Sequence, residues 1–251
     1  MKQKKLKTLF ITLCAFTLLS NNCLAQHKND ISVYVGFLQL KEELNQSMVY
    51  NGPQIGLHYQ RNIYFEKWEL RYKPKIALSV PFNRGMYAAN INFVPVDFSG
   101  IVPVYKNEKH NLKVGLNVAT NYSYQAYPEQ SSAYLFWHGE IGIAPCVEYD
   151  YQWNNSRFKI FLQNSVAGFV SRTKEVTPYF YSFKFADFFT QPHKNMKFGG
   201  FDKYNHTNAT VEYSPNISKG HSFALGVEYI DSYFDNRFQF LNYYLQWEKA
   251  F

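Results

Sequence analysis

The sequence predicts an all-β protein, a transmembrane antiparallel up-and-down β-barrel of about ten strands. Three observations carry this prediction. Apolar and polar residues alternate over segments of about ten residues, as barrel strands with one face in lipid require. Short and longer connections follow one another along the chain. The aromatic fraction is 19%, with 21 Tyr and 23 Phe, an excess that aromatic girdles at two bilayer interfaces would use.

In chain order the first three strands are predicted at 31–38, 54–64 and 68–80. Side chains alternate across a strand with period two, so each strand has one apolar register. In strand one and strand two these registers are Ile31, Val33, Val35 and Phe37, and Ile55, Leu57, Tyr59 and Ile63. Strand three sets Trp68, Leu70, Tyr72, Ile76, Leu78 and Val80 against Glu69, Arg71, Lys73, Lys75 and Ser79. Burial of the charged register in a dry sandwich core would cost a large desolvation free energy, whereas a water-filled barrel lumen avoids that cost. This strand therefore favours a barrel over a sandwich.

The remaining strands follow the same rule. Strand four, 88–104, changes phase, and Pro95 or Gly100 would mark a bulge there. Strands five to nine are predicted at 112–124, 135–149, 157–171, 205–215 and 222–230, and a turn at 235–237 leads into the last strand. Connections at 65–67, 106–111, 151–156 and 216–220 are short, and those at 39–53, 125–134 and 172–204 are longer. The connections at 81–86 and 234–237 are exceptions, because they stand in the longer set but are short. In the twelve-strand alternative, 177–189 and 196–204 form an extra hairpin.

The last strand, 241–251, alternates most clearly. Its apolar register is Leu241, Tyr243, Leu245, Trp247 and Phe251, with Lys249 as the exception. An alternating last strand that ends on Phe resembles the assembly signal of Gram-negative outer-membrane β-barrel proteins, in which another aromatic residue usually stands at the position of Lys249. The resemblance implies that Tyr243, Leu245, Trp247 and Phe251 form this signal. It also implies the barrel assembly machinery, periplasmic chaperones and outer-membrane lipid or lipopolysaccharide as partners.

Residues 1–25 have the three-part layout of a secretory signal peptide. Four lysines within 2–7 precede an apolar run from Leu9 to Leu19, and the small residues Cys23 and Ala25 flank a cleavage point after Ala25. The alternative is a lipoprotein signal with Cys23 as the lipidated residue, which Asn21 and Asn22 fit poorly. We therefore expect a cleaved signal peptide, 1–25, and one outer-membrane domain, 26–251, with a long outer loop at 172–204.

Removal of this segment changes the charge and the cysteine count. It takes away four of the 26 basic residues and none of the 19 acidic ones, so the net charge falls from +7 to about +3. A nucleic-acid partner then loses its main support. Cys146 alone would remain, so no internal disulfide is expected.

Charged residues in the inward registers are the first candidate functional set. They are Arg71, Lys73, Lys75, Glu140, Glu148, Asp150, Glu212 and Glu228, with Glu248 beside them. Ten strands enclose a narrow interior, so opposed charges would pair and fill it as a structural plug. The alternative is a narrow small-solute channel whose selectivity these charges set.

A rim-active lipid hydrolase is the second candidate. Residues 205–209 faintly resemble the His-x-Ser-Asn-Ala signature of lipid A deacylase barrels, which makes His206 and Thr207 weak catalytic candidates. In this chain Thr207 stands at the serine, and His206 is one residue out of register, which points its ring to the opposite face. No metal-ligand spacing or phosphate loop appears, so no metal and no cofactor are expected. The aromatic run within 179–189 is a further candidate, for ligand or glycan binding.

Overall fold

The computed structural model describes residues 26–45, 47–128, 134–173 and 186–251. These residues form fifteen β-segments in one antiparallel sheet. The segments are β1 (Gln26–Glu42), β2 (Val49–Tyr64), β3 (Glu69–Tyr72), β4 (Lys75–Ser79), β5 (Phe82–Asn83), β6 (Met86–Tyr87), β7 (Ala89–Lys106), β8 (His110–Tyr127), β9 (Tyr134–Trp153), β10 (Ser156–Asn164), β11 (Ala167–Arg172), β12 (Lys197–Gly200), β13 (Tyr204–Asn216), β14 (His221–Phe234) and β15 (Asn236–Ala250). The predicted signal peptide lies outside the described residues.

The sheet closes on itself because β1 pairs with both β2 and β15. Val33 lies opposite Leu57 on one side and opposite Trp247 on the other. Three barrel strands are each made of two segments: β3 with β4, β10 with β11, and β12 with β13. Ten strands thus complete the barrel, and β5 with β6 forms a small hairpin at one end. The predicted ten-stranded antiparallel barrel is confirmed.

The twelve-strand alternative is wrong in the part of the chain that is described. Lys197–Gly200 pairs with β11 and continues the line of β13 instead of forming a new hairpin. Before it lie a short helix, α1 (Asp187–Thr190), and a 3-10 turn, Gln191–His193, while 177–185 falls outside the described residues. No described helix is long and apolar enough to cross a membrane.

Two predicted strands are interrupted, and proline explains one interruption. Strand three breaks between β3 and β4 at Lys73 and Pro74, opposite a register shift between Phe93 and Val96 in β7, which contains Pro95. Proline has no amide hydrogen to donate to a neighbouring strand, so regular pairing is interrupted in both strands at the same level of the barrel. Strand seven breaks at Ser165 and Val166, between β10 and β11.

The outer surface of the barrel carries the apolar belt that lipid contact requires. Val35 is 54% exposed, Leu57 54%, Leu225 65% and Leu245 51%. Such exposure over many adjoining strands would be an aggregation hazard in water but is the normal state of a lipid-facing side chain. The outward registers predicted from the sequence therefore form the membrane-facing surface.

The two ends of the barrel differ. The short connections, such as that between Trp153 and Ser156, lie at the end that holds residues 26 and 250, which by the rule for these barrels is the periplasmic end. Toward the other end, which we call the outer end, the polarity of β1 and β15 inverts. On β1 the outward register changes from Phe37 to Gln39 and Lys41, while the inward register becomes Leu38 and Leu40. Apolar-inside and polar-outside is the pattern of a water-soluble sheet, so the outer strand ends rise above the bilayer.

Candidate functional site

The outer half of the lumen is filled by a dry apolar cluster, which we call the outer core. Its nine members come from six strands of the wall and from Ala88, just before β7, and are each at most 1% exposed. They are Leu38, Leu40, Tyr50, Ala88, Tyr127, Phe136, Ile230, Phe238 and Phe240. Burial of so many apolar side chains stabilises the outer end. None of these residues was predicted from the sequence to form an apolar core inside the barrel. The signal that could have found them is the polarity inversion at Leu38 and Leu40 and at Phe238 and Phe240.

A buried ion pair fastens the outer core to the strand ends. The Arg172 guanidinium donates to Glu42 and to the backbone carbonyl of Asn236, and it lies 5.7 Å from the centre of the Phe238 ring. The His138 ring also stacks on Phe238, with 4.4 Å between ring centres. Arg172 thereby joins β11, β1 and the start of β15 across the mouth of the barrel.

Below the outer core, four charged groups form a chain across the lumen, which we call the middle cluster. Lys75 Nζ lies 2.7 Å from Glu228 Oε2, and Glu228 Oε1 lies 3.2 Å from His206 Nε2. His206 Nδ1 lies 2.6 Å from Glu140 Oε1. Each buried charge has an opposite partner, which offsets the cost of removing it from water.

A second network lies nearer the periplasmic end. Arg71 Nε donates to Glu69 at 2.6 Å. Both terminal nitrogens of Arg71 donate to Glu148, and this two-point geometry makes Arg–carboxylate pairs strong. Lys113 bridges Glu148 at 2.8 Å and Asp150 at 3.4 Å. On the neighbouring wall, Glu212 accepts from Arg157 at 3.1 Å and from Lys159. We call these residues the periplasmic network.

All eight charged residues singled out from the sequence face the interior. The structure brings Lys75, Glu140 and Glu228 into the middle cluster, and Arg71, Glu148, Asp150 and Glu212 into the periplasmic network. The network also contains Glu69, Lys113, Arg157 and Lys159, which the candidate set omitted although their strand registers point inward. Lys73 belongs to neither group.

Between the two groups lies a cavity of about 110 Å³. Two tyrosine rings form part of its lining. The Tyr34 ring lies against Gly56, where a Cβ would come within 2.3 Å of the ring, and the Tyr244 ring lies against Gly226, where the same distance would be 2.2 Å. The two rings contact each other, with 5.4 Å between their centres. Lys73 also lines the cavity, and its Nζ lies 4.5 Å from the centre of the Phe161 ring.

The hydrolase candidates do not form a pair. His206 is buried inside the barrel between two carboxylates. Thr207 points outward, where its Oγ1 donates to Asn205 Oδ1 at 2.9 Å and accepts from Asn164 Nδ2 at 2.5 Å. The wall of the barrel separates the imidazole from the hydroxyl, so His206 cannot take a proton from Thr207.

The four residues of the predicted assembly signal lie on the outer surface of the last strand. Tyr243 is 57% exposed, Leu245 51%, Trp247 43% and Phe251 66%. Lys249 turns back to the periplasmic turn, where its Nζ donates to the carbonyl of Lys219 at 2.8 Å. The apolar stripe is therefore continuous, while its role in assembly stays a prediction.

Part of the predicted outer loop packs against the outside of the barrel. Pro192 covers Gly139, where a Cβ would come within 3.0 Å of it, and the His193 ring contacts Tyr122 edge-on at 5.5 Å. Ser171 Oγ donates to the carbonyl of Lys194 at 2.9 Å. Most of the aromatic run, 179–185, lies outside the described residues, so its binding role stays a prediction.

Comparison with known proteins found similar solved structures only. No protein-family model matches the sequence, and no match is found among curated proteins. Solved structures with a similar overall shape include the translocator domain of the autotransporter NalP from Neisseria meningitidis, with TM-score 0.46 and 5% identity over 99% of this chain and 96% of that one. The outer membrane protease OmpT from Escherichia coli has TM-score 0.44 and 6% identity over 92% and 99%. The COG4313 outer membrane channel from Pseudomonas putida F1 has TM-score 0.40 and 8% identity over 93% and 98%.

The fold is that of an outer-membrane β-barrel. Closure without a free edge and the apolar belt carry this assignment, since a chain can cross lipid with strands only if every backbone group is paired. At the identities given above the likeness concerns shape alone. Any role must be argued from the lumen of this chain.

Proposed function

We propose that the protein is a sealed, non-conducting outer-membrane barrel with a structural role at the cell surface. The observation that carries the proposal is the outer core, which occupies the lumen from wall to wall with side chains at most 1% exposed. A channel needs a continuous wet path, and large porins obtain one from many more strands than ten. The ion pairs below the core also favour a non-conducting barrel, because these charged side chains bind one another and not a passing solute.

Solute flux tests the proposal. Purified full-length chain is inserted into liposomes, and swelling is followed in a small sugar or in potassium chloride. We expect the rate of empty liposomes. The variant Phe238→Ala/Phe240→Ala, which removes two rings of the outer core, serves as the comparison, and unheated gel mobility checks that both proteins are folded. Swelling by the native protein above the empty control would contradict the proposal and favour the narrow channel.

The outward stripe of β15 supports a second part of the proposal, concerning biogenesis. Tyr243, Leu245, Trp247 and Phe251 would be read by the barrel assembly machinery after periplasmic chaperones deliver the exported chain, and the finished belt would contact outer-membrane lipid. Deletion of Phe251 should lower the amount of the folded, heat-shifted band in outer membranes. The substitution Lys249→Ala, which keeps all four residues of the stripe, is the control. Equal folded amounts for native and deleted chains would refute this part.

A lipid hydrolase is not favoured by the geometry, because His206 and Thr207 lie on opposite sides of the wall. The masses of lipid A before and after overexpression offer the direct comparison. We expect the same acyl pattern in both, and loss of an acyl chain on overexpression would contradict that expectation.

A further inference from the structure

One arginine on the lipid-facing side of the barrel has no partner in the described part of the protein. Arg61 of β2 lies directly opposite Asn29 of β1 and Tyr72 of β3. It shares the outward register of Leu57, which is 54% exposed, whereas the next residue, Asn62, points inward and is 2% exposed. Among the described residues, none forms a hydrogen bond or an ion pair with the Arg61 guanidinium, and its Nε is buried without a partner.

The other ion-pairing arginines of the barrel are used differently. Inside the lumen, Arg71, Arg157 and Arg172 each bind a carboxylate. Arg237 does the same at the outer end. A guanidinium on a lipid-facing register is unfavourable, and the cost falls only toward the interfaces of the bilayer. We therefore expect Arg61 to take an anion that the chain itself does not supply.

Arg61 lies at the periplasmic boundary of the apolar belt. Its cross-strand neighbour Asn29 exchanges two backbone hydrogen bonds with Phe251, of 3.3 Å and 2.8 Å, so this row of residues adjoins the end of the last strand. Exposed aromatic side chains mark the same end: Tyr64 is 37% exposed, Trp68 41% and Phe251 66%. Aromatic residues concentrate where hydrocarbon meets headgroups, so Arg61 stands at the depth of the lipid phosphates.

A second donor stands beside the guanidinium. Tyr59 Oη donates to Asn29 Oδ1 at 2.9 Å, which fixes the plane of the Asn29 amide. No described residue accepts a hydrogen bond from Asn29 Nδ2. Unlike Arg61 Nε, neither Asn29 Nδ2 nor the terminal nitrogens of Arg61 are buried. Directly opposed residues on antiparallel strands have Cβ atoms about 4.5–5.5 Å apart, so the two donor groups can reach one anion.

We propose that Arg61 and Asn29 form a binding site for the phosphodiester of a glycerophospholipid in the periplasmic leaflet. The two terminal nitrogens of Arg61 donate to two phosphate oxygens, a geometry for which the planar guanidinium is suited. Asn29 Nδ2 donates to the same phosphate, and the acyl chains lie along the outward side chains of β1 and β2. The site is on the outside of the barrel, so it does not depend on whether the lumen conducts.

Native mass spectrometry of the full chain, released from a maltoside detergent that carries no phosphate, tests the site. The probes are phosphatidylglycerol and a diacylglycerol with the same acyl chains, which lacks the phosphodiester. We expect saturable retention of one phosphatidylglycerol and no retention of the diacylglycerol.

Two substitutions of a cation separate this site from diffuse attraction. Arg61→Met keeps an apolar stem and should weaken phosphatidylglycerol binding about tenfold or more, because it removes charge-assisted hydrogen bonds. Lys67→Met is the matched control, since it removes a positive charge from the exposed turn at the same end of the barrel. It should bind phosphatidylglycerol as the native chain does.

Asn29→Asp places a carboxylate directly opposite Arg61 and so supplies the missing anion from the chain itself. It should fold as the native chain does and bind phosphatidylglycerol about tenfold more weakly or less, because the new charge repels the phosphate. Heat-shifted gel mobility reports folding for every variant. Retention of neither probe by the native chain, or equal retention of both, would overturn the proposal. An equal loss in Lys67→Met and Arg61→Met, or unchanged affinity in both Arg61→Met and Asn29→Asp, would overturn it as well.

Discussion

Removal of one charged partner from the middle cluster should lower the free energy of unfolding far more than removal of two. Glu228 is the centre of this cluster, with side-chain exposure of 3%, and it faces Lys75, whose side chain is 18% exposed. Glu228→Gln leaves the Lys75 ammonium without its anion in the lumen. Breaking a buried pair in this way costs about 3–5 kcal/mol, and the partial exposure of Lys75 puts the expected loss of unfolding free energy near the lower limit, about 3 kcal/mol.

The double variant Glu228→Gln/Lys75→Met removes the stranded charge together with its partner. Replacement of both members of a buried pair by neutral groups is often nearly neutral, so we expect it to unfold within about 1 kcal/mol of the native chain. His206 keeps its contact with Glu140 in both variants. Reversible urea unfolding in lipid vesicles, followed by tryptophan fluorescence, gives the three free energies. A single variant as stable as the native chain, or a double variant as unstable as the single one, would refute the reasoning.

Further predictions concern the walls of the barrel. Gly56→Val should lower the free energy of unfolding by about 1–3 kcal/mol, because a Cβ there would meet the Tyr34 ring at 2.3 Å. The control is Gly100→Val, because a Cβ at Gly100 would have no atom within 4 Å. Equal midpoints of urea unfolding for the two variants would contradict the packing of Tyr34 on Gly56. Leu225→Arg, on the apolar belt, should lower the free energy of unfolding in vesicles by about 2–4 kcal/mol. Gln239→Arg, at the outer end, should lower it by only about 0–1 kcal/mol. Equal costs at these two positions would mean that the polarity inversion does not mark the membrane boundary. Arg172→Met should increase protease cleavage at the outer strand ends of vesicle-inserted protein, measured by mass spectrometry, and an unchanged cleavage pattern would show that the ion pair with Glu42 does not hold them.

The sequence was sufficient for the strands because each alternates over enough residues to define two faces. Ile31 to Phe37 and Phe223 to Tyr229 give the lipid face directly, and Asn154, at the turn between β9 and β10, has the positive φ of 52° that its residue type tolerates. The phase change near Pro95 also follows from local chemistry. These features depend only on neighbours in the chain.

The interior could not be predicted in the same way. Lys75 and Glu228 are 153 positions apart, and which charges meet across the lumen depends on the stagger of ten strands, which no single strand encodes. The outer core was missed for a different reason. Strand one was expected to end at 38, so Leu40 was placed in a loop and the inversion from apolar-out to apolar-in was not recognised. The break at Lys73 and Pro74, which helps to place Lys73 in the cavity, depends on the matching bulge in β7.

Conductance across a planar lipid bilayer tests the central claim most directly. Native protein that shows the heat-dependent gel shift of a folded barrel is inserted, and current is recorded at both polarities in potassium chloride. The sealed lumen predicts a flat trace, indistinguishable from the bare bilayer, at every voltage the bilayer withstands. Stable unitary current steps from the native protein, absent when the sample is boiled first, would contradict a lumen closed by the outer core.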